Sequence, residues 1–300
     1  MDTQPIPDTM LEAVRQFTDP QVAHDFFVQI RWPNGVACPR MGCGSASVAY
    51  LPKYRRWYCN DCKRQFTAKV GTIFEDSPIG FDKWLPAIWL IASNRNGISS
   101  TELARALKVT QKTAWFMLHR IRLAMGSGSF RMLTGIVEAD EAYIGGKWTS
   151  KPKSVRYAKD RPSDVGVTKT AVLGLVERGG QVRATVLPTA RPSRRDVLPF
   201  MLASIHQDAT LHTDSAAIYK GADEWFLYHR WVNHEIEEYV RGAVHTNTIE
   251  NFWSVLKRAL GGTYISVRPQ HLQAYIDEEI FREKLEGLPS TKRVKRDMLG

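Results

Sequence analysis

The stretch VEADEAYIGGK, Val137 to Lys147, decides how this chain reads. Its flanks are those of a buried strand, yet three acids, Glu138, Asp140 and Glu141, fall within four residues. Burying an unpaired carboxylate is expensive, so such a strand needs a compensating partner, and bound metal is the natural one. Alternation sends Glu138 and Asp140 to one face of the strand and Glu141 to the other, and periodicity does not choose between Glu138 and Asp140. Glu141 is expected to pair with a neighbouring basic side chain instead of with metal.

The elements around this strand set its context. MLTGIVEADEAYIG, TAVLGLVERGG and QVRATVLPT read as three strands, with RGG turning the second into the third. SRRDVLPFMLASIHQ is an amphipathic helix, ATLHTDSAAIY a short strand running into a turn at Asp214, and HTNTIENFWSVLKRALGG a capped helix closed by Gly-Gly. Three strands, a helix, a strand and a helix is the order of a ribonuclease H-like α/β domain with a mixed sheet. In that order acids project from a central strand, a neighbouring strand end and a helix, here Asp140, Asp214 and Glu250. Such a trio can hold two Mg²⁺ or Mn²⁺ ions, which suit hard oxygen ligands, and two ions can serve one phosphodiester. Taken singly the acids say little: Asp214 reads equally as a turn aspartate, and Glu250 as a helix-face acid beside Lys257 or Arg258.

The cysteines are as clustered as the acids are scattered. Cys38, Cys43, Cys59 and Cys62 lie in CPRMGCGSASVAYLPKYRRWYCNDC, one pair spaced by four residues and the other by two, with fifteen between. Two tight turns presenting two thiolates each complete a tetrahedron around a structural Zn²⁺, and SVAYLPKYRRWYC supplies two short strands of a zinc ribbon. KYRRWYCNDCKRQF adds Arg55, Arg56, Lys63 and Arg64 beside aromatics, a candidate nucleic-acid contact. Ahead of the ribbon, a helix starts at Asp19-Pro20, with Val22, Phe26, Phe27 and Ile30 as its core stripe.

After the ribbon, three helical segments run from Phe81, broken at NRNG and KVT, with Ser99 or Ser100 capping the second and Thr110 the third. A short helix, a tight turn and a longer basic helix make a helix-turn-helix, whose second helix enters the major groove. Gln111, Lys112, Thr113 and Trp115 then lie nearest the DNA. Ala114, Met117, Leu118, Ile121 and Leu123 are expected inside, and His119, Arg120 and Arg122 outside. GSGS at 126–129 is a linker. The expected domains are therefore 1–75 (helix and ribbon), 76–128 (helix-turn-helix), 129–285 (catalytic) and 286–300 (basic tail), a multidomain α+β chain.

Forty-one Lys and Arg against 31 Asp and Glu give a net charge of +10, which favours a polyanionic partner. Seven Lys/Arg against two Asp crowd into KWTSKPKSVRYAKDRPSDVGVTK, so Lys151, Lys153 and Arg156 are candidate DNA clamps that order when DNA binds. Arg194 and Arg195 of RPSRRD are candidate phosphate contacts. There is no long apolar run and no signal-like N-terminus, so a cytoplasmic, nucleoid-associated protein with no membrane partner is expected.

Together VEADEAYIGGK, LHTDSAAIY and HTNTIENFWSVLKR resemble the DDE transposase domain of bacterial insertion sequences, in the ISXO-like branch, whose members also begin with IRWPNGVACP and a four-cysteine ribbon. The resemblance covers about Asp19 to Phe281. It implies that Asp140, not Glu138, is the first catalytic aspartate, that Asp214 is the second and that Glu250 is the third acid. Asn247 is implied as a rival or supporting ligand, and Lys257 as the basic residue that orients a substrate phosphate or terminal base. It implies a transposase that binds terminal inverted repeats, cuts 3′ ends and joins them to target DNA, as a homodimer or larger assembly. The first zinc pair, CPRMGC, is wider than the family's usual spacing. Two other readings stay open here: a DNA-binding regulator without enzymatic activity, and a ribonuclease H-like nuclease.

Overall fold

In the computed structural model the described residues are 5–126, 131–146, 153, 169–214, 216–232 and 245–284. They form two compact units, one of residues up to 126 and one from 131 to 284.

In the first unit, α1 (Met10–Phe17) starts from a capping box in which Thr9 and Glu12 satisfy each other's backbone amides. The carboxylate of Asp19 accepts from the amides of Gln21 and Val22 and opens α2 (Pro20–Arg31), with proline in the first turn, where its missing N–H costs nothing. The ribbon has three strands where two were expected: β1 (Val48–Leu51), β2 (Arg56–Cys59) and β3 (Gln65–Phe66), antiparallel in the order β1-β2-β3. Three helices follow, α3 (Phe81–Ser93), α4 (Ser100–Leu107, boxed by Ser99 and Glu102) and α5 (Gln111–Gly126, capped by Thr110). Phe27 stacks on Phe81 at 4.5 Å, and Phe74 meets Trp84 at 5.0 Å, so residues on both sides of the expected 75/76 boundary share one aromatic core.

One helix face needs correction. Leu123, expected inside α5, is 72% exposed, whereas Arg122, expected outside, is 1% exposed. Helical spacing explains both: Arg122 stands four residues after buried Leu118, and Leu123 stands seven after exposed Phe116.

The second unit is built on a five-stranded mixed sheet ordered β6-β5-β4-β7-β8. Its strands are β4 (Ile136–Ile144), β5 (Thr170–Glu177), β6 (Val182–Val186), β7 (Thr210–Asp214) and β8 (Tyr228–Val232). β4–β5 and β5–β6 pair antiparallel, the second pair through the turn at Gly179, while β4–β7 and β7–β8 pair parallel. α6 (Arg194–Ser204) covers one face, packing Val197 and Met201 on Val137, Ala139, Leu173 and Leu211. On the other, α7 (Asn247–Gly262) and α8 (Leu272–Lys284) pack Ile249, Phe252, Trp253 and Ile276 on Ala142, Val172 and Val176. Strand alternation thus deals the central strand's odd residues to α6 and its even residues, Glu138 and Asp140 among them, to α7.

Candidate active site and metal centre

Parallel pairing of β4 with β7 runs over Ile136–Glu138 and Thr210–His212 and then stops. Asp140 and Asp214 each stand two residues beyond the last pair: Asp140 lies mid-strand in β4, still paired with Gly174 of β5, where the parallel neighbour has ended, and Asp214 closes β7, a usual location for ligand sites. Glu250 comes from the first turn of α7. The three acids expected from three elements lie near enough for the charges of Asp214 and Glu250 to act on Asp140. Burial, then the charge of Asp214, and also that of Glu250, push the Asp140 carboxyl up to about 6. They are less tightly gathered than a closed metal site: among the described residues only the four cysteines bring three or more ligand atoms within 4.8 Å of one another.

Each acid is held differently. Asp140 Oδ2 accepts from the Trp253 indole N–H at 3.0 Å. That contact needs Gly174, the residue paired with Asp140 across β5, because a Cβ there would lie 2.4 Å from the Trp253 ring. Asp214 Oδ1 accepts from the Ala216 amide at 2.9 Å, and the Thr246 hydroxyl donates to Glu250 Oε1 at 3.1 Å. Glu250, Asn247 and Lys257 are exposed, with Asn247 the first residue of α7.

The two remaining acids of the opening run part company. Glu138 is fully buried, and both its oxygens are taken: Arg178 Nε donates to Oε1 at 2.6 Å, the Thr248 hydroxyl to Oε1 at 3.0 Å, and the Thr248 and Ile249 amides to Oε2 at 2.8 and 3.1 Å. A carboxylate so occupied has no lone pair left for metal. Glu141 takes the opposite face, as alternation requires, but its expected basic partner is replaced by Tyr219. Burial pushes Glu141 up to about 8, and the fully buried Tyr219 hydroxyl approaches it without completing a well-aligned bond, leaving Oε1 buried and unsatisfied. Asp140, Asp214 and Glu250, whose charges crowd one another, form a hard-oxygen donor set that fits divalent cations of the Mg²⁺ and Mn²⁺ type.

The cysteines make the second centre. None is in a disulfide, and Sγ–Sγ distances are 3.8 Å for Cys38–Cys62 and 3.7 Å for Cys43–Cys59. A tetrahedron of sulfurs each ~2.3 Å from zinc has edges of about 3.8 Å, so these thiols stand at zinc spacing. The wide first pair is accommodated by a turn through Gly42, at φ +78°. The Cys62 and Asp61 amides hold the Cys59 thiol down to about 7, while burial pushes Cys38 up to about 12.

The expected DNA contacts divide. Arg55, Arg56, Lys63 and Arg64 are exposed on the ribbon, Gln111 and Lys112 on α5, and Arg195 on α6, while Thr113 and Trp115 are partly buried. Arg120 is committed within its own unit, donating to the carbonyls of Ile73 and Glu75 at 2.8 and 2.6 Å. Arg194 pairs with Glu224 at 3.0 Å. Lys153 is exposed, and Lys151 and Arg156 lie outside the described residues. Sequence reading missed Trp253, Thr246 and Tyr219 as neighbours of the acids. Only Trp253 carried a signal, three residues after Glu250 and so one turn along the same helix.

The model of an ISXO2-like transposase domain matches residues 132–284, and that of a transposase zinc-ribbon domain matches 19–65. A protein of Halobacterium salinarum described as an uncharacterized protein in transposable element ISH50 is 31% identical over 284 residues, which is 90% of this chain and 94% of the relative. A chain of the simian T-cell lymphotropic virus intasome, solved in complex with PP2A regulatory subunit B56 gamma, aligns over 64% of each chain at 14% identity with a TM-score of 0.28, too slight a likeness to argue from. No helix among the described residues is long and apolar enough to cross a membrane.

Proposed function

This chain belongs to the ISXO2-like transposases of insertion sequences, and on that premise we propose that it cuts the 3′ ends of its own element and joins them to target DNA, using Asp140, Asp214 and Glu250. The observation that carries the reading is the approach of those acids, from the middle of the central strand, the end of its parallel neighbour and the first turn of a helix, to where Asp140 bears the charge of both others. The sheet order β6-β5-β4-β7-β8, with three antiparallel strands followed by two parallel ones, supports a ribonuclease H-like domain.

Asp140, Asp214 and Glu250 would hold Mg²⁺ or Mn²⁺, which when bound supplies positive charge to the attacking and leaving oxygens of an in-line displacement. Trp253 orients Asp140, the Ala216 amide donates to one oxygen of Asp214 and the Thr246 hydroxyl to one oxygen of Glu250, so among the described residues each acid is held through one oxygen. Lys257, seven residues after Glu250 and so two turns along the same face, offers an exposed ammonium to the DNA phosphate. Asn247, one turn before Glu250, is a supporting ligand. Hydrolysis and strand transfer are the same displacement with water or a 3′-hydroxyl as nucleophile, so one set of acids serves both.

The four cysteines hold a structural Zn²⁺. α4 and α5 act as a helix-turn-helix, and the ribbon's Arg55, Arg56, Lys63 and Arg64 join Gln111, Lys112, Thr113 and Trp115 in gripping the terminal inverted repeats. Two ends must be held together, so a dimer or larger assembly forms on DNA. The test is incubation with labelled DNA from the ends flanking the gene, with Mg²⁺ or Mn²⁺ and a plasmid target. Nicking and joining that depend on Asp140 and Asp214 are expected. Absence of both sinks the enzyme reading, and activity that survives Asp140→Ala or Asp214→Ala sinks the site.

A further inference from the structure

α7 starts without a bond from its N-cap side chain, and the Asn247 amide has only a long local contact, to His245 Nδ1 at 3.4 Å. Thr246 stands at its N-cap but makes no side-chain bond to the first-turn amides, because its hydroxyl goes to Glu250 instead. The amides of Thr248 and Ile249 are satisfied by the Oε2 atom of Glu138, which lies 110 and 111 residues earlier in the chain. A helix N-terminus combines unpaired N–H groups with partial positive charge, and a buried carboxylate answers both.

Arg178, in the turn between β5 and β6, completes the arrangement. Its Nε donates to Glu138 Oε1 at 2.6 Å and its Nη2 to the His245 carbonyl at 2.9 Å. Nη2 also lies 3.2 Å from His212 Nδ1. A guanidinium can only donate, so His212 Nδ1 is the acceptor and the ring proton sits on Nε2. Glu138 and His212 face each other in the last pair of β4 and β7, each two residues before its strand's aspartate. The network therefore touches every element that carries one of the three acids: β4, β7 and α7.

We propose that Glu138 is a positioning residue for the carboxylate site: it clamps the first turn of α7 to β4, and so presents Glu250 to Asp140 and Asp214. The role rests on the assignment of those three acids. Groups that orient metal ligands from behind govern metal affinity as well as stability, whereas a purely structural ion pair governs stability alone.

The test compares the full-length protein with Glu138→Gln, with Asp140→Asn as reference. Mn²⁺ binding without DNA is measured by electron paramagnetic resonance, hydrogen exchange is followed at the Thr248 and Ile249 amides, and melting and Mn²⁺-dependent cleavage are recorded. Glu138→Gln is expected to fold, to exchange these two amides at least about tenfold faster, to weaken Mn²⁺ binding by about 10- to 100-fold, and to recover cleavage as Mn²⁺ is raised. A lowered melting temperature with wild-type Mn²⁺ affinity overturns the positioning role, as does unchanged amide protection. Should Glu138→Gln not fold, Glu138→Asp, which keeps the charge but shortens the reach, takes the same measurements. Wild-type protein that binds no Mn²⁺ overturns the three-acid assignment and the positioning role with it. That failure is told apart from a failure of the clamp by the wild-type amide protection.

Discussion

The cysteine cluster and the carboxylate cluster both gather metal-binding side chains, and they are built in opposite ways. Four thiols from residues 38–62 come within 4.8 Å of one another through two turns and a hairpin. The carboxylates come from residues 140, 214 and 250, on separate elements, and are less tightly drawn together. The first centre is closed, with every ligand supplied by the protein, as a structural site requires. The second keeps its acids apart, with Glu250 exposed and Asp214 half-buried, which suits the proposed role of admitting a substrate phosphate. Local chain geometry makes the one, and the packing of a helix on a sheet makes the other.

The comparison breaks most visibly at the cysteines. Structural zinc in small ribbons is worth on the order of 10 kcal/mol of folding free energy. Cys59→Ser is therefore expected to lose the bound zinc and the amide protection of β1–β3, while β4 keeps its own; metal analysis and hydrogen exchange read both. The carboxylate centre responds in function before stability. Asp140→Asn is expected to cut cleavage and joining by about 10³-fold, or ~4 kcal/mol of transition-state stabilisation, with the melting temperature unchanged or higher because a crowded charge is gone. Equal loss of fold and activity would make Asp140 structural.

A smaller effect tests the packing that supports the second centre. Gly174→Ala pushes a methyl group into Trp253 and Ile249, with contacts of 2.4 and 2.7 Å that neither ring nor helix can accept unmoved. It is expected to cost ~1–3 kcal/mol by denaturant melt and to loosen the indole bond to Asp140. Trp253→Phe, which keeps most of the ring and removes the N–H donor, separates the two effects, at about 1 kcal/mol for the bond. Smallest is Glu141→Gln. Because burial holds the Glu141 carboxyl up to about 8, folding at neutral pH requires it to take up a proton, a cost the neutral glutamine does not carry, so the melting temperature in chelator is expected to rise by a few degrees. A lower melting temperature in chelator would mean that Tyr219 satisfies Glu141 better than its geometry suggests.

Legibility followed the same division. The Asp19-Pro20 helix start, the RGG hairpin and the cysteine turns depend on neighbours in the chain, and each was readable. α1 was equally readable through Thr9 and Glu12, a capping box that went unread. β8 was harder: YHRWV is an edge strand that exposes Tyr228 and Trp231, so it lacks the apolar run of a buried strand. Arg122 and Leu123 were exchanged because hydrophobicity was allowed to overrule helical spacing.

The sequence by itself determined where the ribbon is, which strand carries the acids, and that Glu138 and Asp140 share a face opposite Glu141, because alternation and short-range turn chemistry are properties of a few consecutive residues. Physics at that range left Glu138 and Asp140 equal, and only resemblance separated them. Tertiary structure supplied the reason: α7 lays its first turn on Glu138 and its Trp253 indole on Asp140. The two acids thereby acquire different surroundings, one with every lone pair occupied and the other raised by burial and by two like charges. No local pattern encodes that distinction, because it depends on a helix 110 residues away coming to rest on one particular glycine of the neighbouring strand.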